Sequence, residues 1–490
     1  MRPLHPEADG GEFPISRRAL FWRGLPGLGA LAGAWLAQRV PNVAVGQHAA
    51  AGSASSTSPA RGGPLAPKPP HFAPRARRVI WLFMHGGPSH LETFDPKPEL
   101  QRLNGQPLPA SFGPVATRRK VAHNPLLATK RTFQKHGASG LEISDLFPHL
   151  AKHADALCVL RSCWADSVNH PQAVYQMNTG SILMGRPSVG SWISYGLGTE
   201  NEDLPAFVVL PDPGGGIKGG PPAYGAGYLD ATFQGTLARA GTPPILDLAR
   251  PRGLNDADQR RVLDFARQVN QRHAADRSGD DRLDARIASY ELAYRMQTAA
   301  PEAVDLAAES AETRALYGLD QPQTAEFAAR CLLARRLIER GVRFVQLFSG
   351  DTNGWDAHDN VESNHGLMAR RTDQPVAALL IDLERRGLLD DTLVVWGGEF
   401  GRMPMSESGK GRDHNPHGFS VWLAGAGVKG GHAHGATDPI GLRAAEDKVH
   451  VHDLHATMLR LMGFDHEKLT YRYAGRDFRL TDVHGKVIQD

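Results

Sequence analysis

Val79-Ile80-Trp81-Leu82-Phe83-Met84, stopped by His85-Gly86-Gly87-Pro88-Ser89, is the stretch that decides how this chain folds. Six apolar residues in a row, without polar alternation, suit a strand buried on both faces. That is the pattern of a parallel sheet covered by helices. Gly-Gly-Pro then breaks the run with a turn. Working outward, Ala156 to Leu160, Ala206 to Leu210, Phe344 to Phe348, Thr392 to Trp396 and Ser420 to Leu423 read the same way.

Helical patterns lie between these runs. One spans Thr324 to Arg340 and delivers the chain into the run at Phe344. Val376, Leu379, Leu380 and Leu383 share a face, and Gly387 marks their stop. Asp453 is expected to cap a helix carrying Leu454, Met458 and Leu461, which Gly463 ends. Alternation of this kind predicts the α/β class, a mainly parallel sheet with helices on both faces. Residues 255–313 are charged, helical in pattern and poor in strand formers, so a helical insertion is expected there.

The N-terminus reads differently. Ser16-Arg17-Arg18 precedes an uncharged apolar run from Gly24 to Ala37, too short for an ordinary membrane span. Twin arginines before such a run look like a twin-arginine export signal over residues 1–42, which predicts a periplasmic or extracellular protein. The membrane would be met only through this segment. Residues 43–74, rich in Ala, Ser, Gly and Pro, are expected to form a disordered linker that buries nothing. The folded domain is then expected over 75–490.

The 490-residue chain carries 55 basic and 52 acidic side chains, a near-balance that argues against a nucleic-acid binder. Three cysteines are too few for a disulfide framework, and we read them as small buried hydrophobes. Among the 22 histidines, many cluster between His358 and His455 beside Asp, Asn or Gly. Imidazole is a common metal ligand, so this region is where a site is sought.

Three segments stand out. Asp356-Ala357-His358 follows an apolar strand and a glycine-containing loop, with Asp351 as a spare carboxylate. An Asp-x-His pair offers an oxygen and a nitrogen to a divalent metal. Glu399-Phe400-Gly401-Arg402 follows another strand, and Arg402 suits bidentate grip of an oxyanion. Gly411 to Gly418 places His414 and His417 in a loop made rigid by Pro416. In doubly wound sheets, ligands gather outside the carboxyl ends of the strands, where His85 also belongs. Upstream lie Asn169-His170, and Thr179 and Ser181, whose hydroxyls are candidate nucleophiles. His450, His452 and His455 surround the cap of the last helix and are read mainly as structural.

Beyond the residues themselves, the chain resembles a secreted, sulfatase-like family of unknown function within the alkaline phosphatase superfamily. The carriers are Met84 to Ser89, Asp166-x-x-Asn169-His170, Thr179-Gly180-Ser181, Gly185-Arg186-Pro187-Ser188, Trp355 to His358, Gly398 to Arg402, Gly411 to Pro416 and Tyr473 to Asp477. The resemblance covers about Arg77 to Asp490. It implies an alkaline-phosphatase/sulfatase-like core and a metal-dependent hydrolase of phosphate or sulfate esters, acting on a small-molecule or polysaccharide substrate. The divalent metal (Zn, Ca, Mg or Mn) would be held by Asp356, His358, Glu399 and His414, with His85 and His417 as further candidates. Thr179 is the first candidate nucleophile and Ser181 the second, and Arg402 or Arg186 would bind the oxyanion.

The chain departs from the superfamily pattern where His85 replaces an Asp and Phe400 replaces a His. It also lacks a Cys/Ser-x-Pro-x-Arg motif, which argues against formylglycine chemistry. The departures keep two alternatives open: a non-catalytic binding protein on the same fold, and metal-dependent phosphotransfer or isomerisation.

Overall fold

Strand β1 (Arg78–Met84) pairs in parallel with a strand on each side: Val79 lies opposite Phe344 in one and Leu393 in the other. This computed structural model describes residues 63–489 apart from 242–244, 246–247, 251–252, 276–280 and 352. The twin-arginine segment lies outside the described residues.

The remaining sheet strands are β2 (Leu157–Trp164), β3 (Phe207–Leu210), β4 (Thr236–Leu237), β5 (Phe344–Ser349) and β6 (Thr392–Gly397). A separate antiparallel ribbon follows, β7 (Gly401–Glu407) with β8 (Gly411–Asn415). The chain returns to the sheet with β9 (Phe419–Ala424), β10 (His432–His434) and β11 (Val449–His450). The nine-stranded order is β10-β2-β9-β6-β1-β5-β3-β4, with β11 also beside β2. Every pairing is parallel except those of β9, which runs against β2 and β6. All six apolar runs read from sequence are strands of this sheet. β4, β10 and β11 have two or three residues each, too few to show a pattern.

Both faces of the sheet are covered, as unbroken apolarity requires. Ile80, Leu82 and Met84 join one core with helices α5 (Ala325–Glu339) and α6 (Val361–Arg385). Val79, Trp81 and Phe83 join the other, with α1 (His170–Thr179), α2 (Val189–Leu197) and α7 (Val451–Leu461). Each of these large side chains contributes roughly 1.5–3 kcal/mol by leaving water. Cys158, Cys163 and Cys331 are unpaired and buried within these cores.

Helix α7 starts two residues before Asp453. His450 is its N-cap, and Asp453 answers through its side chain, accepting from the His450 N–H at 2.8 Å. The helical insertion comprises α3 (Asp256–Ala275) and α4 (Asp281–Val304). The second is anchored by buried Met296, Ala300 and Ala303, and the Ala303 carbonyl accepts from Arg336 at 2.9 Å.

Residues 63–74 differ from the expected linker. Lys68 N–H donates to the Leu197 carbonyl at 3.0 Å, and His71 N–H to that of Gly463 at 2.9 Å. Leu65 packs against the second core. Four prolines between 64 and 70 already restrict this stretch, so ordering it costs less entropy than composition suggests.

Candidate metal centre

The carboxyl ends of β1, β5 and β6 point the same way, and the loops leaving them meet. Gly86, at φ +105°, lets them do so. A Cβ there would stand 2.4 Å from the Asn353 carbonyl oxygen and 2.6 Å from Asp356 N. Its N–H donates to both carboxylate oxygens of Glu399, at 3.0 and 3.2 Å. On the ribbon, His414 lies directly opposite Arg402, so both side chains share one face and both reach Asp356. Gly411 is equally confined, since a Cβ there would fall 1.6 Å from the His358 carbonyl.

Asp356 is the centre. Its Oδ1 lies 2.9 Å from His358 Nε2, 3.1 Å from His414 Nε2 and 2.7 Å from Arg402. Its Oδ2 lies 3.0 Å from His170 Nε2 and 2.8 Å from the Lys218 ammonium. Each of the three imidazoles has its other nitrogen held by an acceptor. His358 Nδ1 meets Glu407 at 2.6 Å, His414 Nδ1 meets the Val168 carbonyl at 2.7 Å, and His170 Nδ1 meets Glu399 at 2.6 Å. In the neutral form of each ring these acceptors draw the proton to Nδ1, at His414 against an Arg118 guanidinium 3.2 Å from the same atom. Three Nε2 lone pairs are thereby aimed at an anionic carboxylate, and those of His358 and His414 face each other at 3.0 Å.

Such a set needs either extra protons or a cation between its members. Burial holds His414 down to about 3, helped by the nearby Arg402 charge and opposed by Asp356, so at neutral pH it carries no second proton. Burial opposes ionisation of Asp356, but the Arg402 guanidinium bonded to its Oδ1 helps to hold it below the usual carboxylate range. Burial opposes Glu399 too, yet the His170 bond and the His85 charge bring it to about 2. Three imidazole nitrogens and a carboxylate, each imidazole supported from behind, fit a divalent cation. The near-equal separations of Asp356 Oδ1, His358 Nε2 and His414 Nε2 resemble one face of a coordination shell.

Not every expected residue stands in this set. Glu399 supports His170 and the Gly86 N–H rather than facing the centre. His85 is adjacent, with ligand atoms close to those of His170 and Glu399. Both its nitrogens are already engaged, however, one with the Asp351 carbonyl at 3.0 Å and one with the Lys218 N–H at 3.1 Å. His417 is exposed and joins no ligand group.

Arg402 is fully buried and gives its N–H groups to the Gly86, Gly87 and Arg412 carbonyls and to Asp356, so it clamps the loops instead of gripping an oxyanion. Thr179 ends the helix that His170 begins, roughly 13 Å along its axis. Its hydroxyl meets the Ser181 carbonyl, and Ser181 Oγ accepts from Leu183 N–H. Arg186 pairs with Asp482 over the Phe478 ring. Those three residues form no part of the centre.

Sequence reading passed over Glu407, which gives no local signal at the end of a strand. It also passed over Lys218, a lone cation in a glycine-rich loop after β3, and left His170 without a role.

No curated protein matches the sequence. Among solved structures, the chain is similar to the PsFucS1 sulfatase from Pseudoalteromonas sp., at 11% identity and a TM-score of 0.33, covering 80% of this chain and 68% of that one. It is similar to the alkaline phosphatase from the Antarctic bacterium TAB5, at 9% identity and 0.33, covering 80% and 99%. It is also similar to the lipoteichoic acid synthase LtaP from Listeria monocytogenes, at 11% and 0.29, covering 82% and 76%. A family model, described as a protein of unknown function (DUF1501), matches residues 76–490, and the chain belongs to that family.

Proposed function

We propose that this protein is an exported, metal-dependent hydrolase of phosphate or sulfate esters. The observation that carries this reading is the convergence of His170, His358 and His414 on Asp356, each ring fixed from behind. A divalent cation bound there supplies Lewis-acid polarisation of an ester oxygen and lowers the pKa of bound water. The chain's own residues do the rest. Asp356 and the three Nε2 atoms hold the cation, while Glu407, Glu399 and the Val168 carbonyl keep the rings in the right tautomer. Lys218, the partly exposed cation of the site, swings from Asp356 to neutralise an anionic ester oxygen.

Among the described residues, none of the hydrogen bonds made by these site side chains goes to a serine, threonine or cysteine. Water, rather than a protein hydroxyl, is therefore the proposed nucleophile. Three imidazoles and one carboxylate favour zinc over calcium or magnesium. The substrate is a small-molecule or polysaccharide ester. Export rests on the Arg17-Arg18 motif alone.

A binding protein with a retired centre is the second reading. It is favoured by the two protein cations, Arg402 and Lys218, that already neutralise Asp356. Metal analysis of the purified protein, with turnover of aryl phosphate and aryl sulfate, decides between them. We expect stoichiometric metal and chelator-sensitive turnover, both lost in His358→Ala and kept in Thr179→Val. Metal without turnover of either ester class, or absence of metal, points to the second reading and sinks the first.

A further inference from the structure

A cavity of about 390 Å³ lies away from the metal centre, between β2, β9, α7 and the two ends of the described chain. Its wall includes Cys158 and Leu160 of β2. Cys158 precedes Trp164 by six residues, so this end of β2 is roughly 20 Å from the end nearest the centre. Cys158, Leu160, Leu423 and Leu461 are all less than a tenth exposed and form an apolar floor. Phe72, Val428 and Ile488 add to it.

The rim has one sign of charge. Arg75, Lys429 and Arg460 line the cavity, and no aspartate or glutamate among the described residues does. No ion pair to any of the three is found among the described residues, although the chain as a whole is nearly balanced in charge. Two of these cations are held in place. The Arg460 guanidinium sits 3.9 Å from the Phe72 ring centroid, and Arg75 donates to the Gly427 carbonyl at 3.3 Å. Fixed guanidinium groups over an apolar hole bind an anion with less ordering cost than free ones. The volume falls within the ordinary range for small-ligand pockets.

We propose that this cavity binds an amphipathic organic anion, with its apolar body on Cys158, Leu160 and Leu423 and its anionic head between Arg75, Lys429 and Arg460. The site is independent of the hydrolase reading, because none of its residues touches the metal centre. Apolar burial supplies the affinity, and the cations select an anionic head over a neutral one.

The test is calorimetric titration of the full chain with decanoate, decanol and acetate. Decanoate should bind with one site per chain, decanol about tenfold more weakly or worse, and acetate not measurably. Arg460→Gln with Lys429→Gln alters only exposed side chains and so leaves the fold intact. It should weaken decanoate about tenfold while ester turnover and metal content stay unchanged. Equal binding of decanol and decanoate, or no loss in the double variant, overturns the proposal. So does binding that appears only after Asp490 is removed, which would mean that the chain's own end fills the place.

Discussion

Arg402 and Arg412 stand on the two strands of one ribbon, both fully buried, and they serve opposite purposes. Arg412 meets Glu92 through Nε and Nη2, at 3.0 and 2.7 Å, and its other donors reach the Met403, Pro404 and Leu127 carbonyls. Glu92 is equally buried, and donors and acceptors match. Around Asp356 they do not. Three imidazole lone pairs converge there with two protein cations, and the carboxylate remains slightly exposed. The first region is a closed ion pair that joins Glu92 to the ribbon. The second gathers three imidazoles on one carboxylate, the arrangement proposed above to hold a cation.

Acid should have the largest effect on both regions together. Burial lowers His365, near the closed pair, to about 3, and lowers His455 to about 3 and His452 to about 4. Their folded values lie below the unfolded value of about 6.5, so unfolding takes up protons. Stability from these groups is full above pH 6.5 and is lost as pH falls toward 3, at about 1.4 kcal/mol per pH unit for each histidine. Denaturant melts of metal-free protein from pH 7.5 to 4.5 should show the midpoint falling steadily. A flat profile would mean that these rings are not buried neutral.

Next in size is the closed pair. Arg412→Met leaves Glu92 buried without its partner and should cost about 3–5 kcal/mol, whereas Arg412→Met with Glu92→Met should recover most of that. Equilibrium denaturation of the single and double variants measures both. A single variant within about 1 kcal/mol of the parent would erase the distinction drawn above.

The open region should respond the other way. Asp356→Asn keeps the volume and removes the anion, so metal affinity should fall by at least about 100-fold while stability of the metal-free protein changes less than in Arg412→Met. Metal titration monitored by competition with a chelating dye, alongside a melt without metal, separates the two quantities. Unchanged metal affinity would remove Asp356 from the centre.

How much of this was legible in the sequence follows from the range of each signal. The apolar runs around Val79, Phe344 and Thr392 spell out the sheet, because burial on two faces leaves no polar position to confuse the reading. Asp356, His358 and His414, which the fold brings together, were legible as candidates because they sit just beyond or beside such runs. Gly411 to Asn415 was read as a loop and is a strand, since its residues are polar yet buried and show no alternation of burial. His85 and His417 were expected at the centre on residue type, but both ring nitrogens of His85 are already bonded to backbone and His417 is exposed outside the cluster, and sequence shows neither fact. Arg402 was misread for the same reason as His85. Thr179 failed on helix geometry: His170 and Thr179 begin and end one helix, and only one end reaches the carboxyl ends of the strands.

The smallest and sharpest effect concerns Glu407, which touches no expected ligand position in sequence and yet fixes His358 from behind. Glu407 also accepts from Arg119 at 3.1 Å, so its carboxylate is held on both sides. In Glu407→Gln the side chain keeps its shape and can still accept through its amide oxygen, but the charge that makes the ring more basic is gone. Metal affinity should drop about 10- to 100-fold, less than for Asp356→Asn. Stability without metal should move by no more than about 1 kcal/mol, because the hydrogen bond survives. If Glu407 only packs the ribbon, its loss would lower the melt and leave affinity alone. If it orients and tunes His358, affinity falls first, and Glu407→Asp, which keeps the charge, restores part of it.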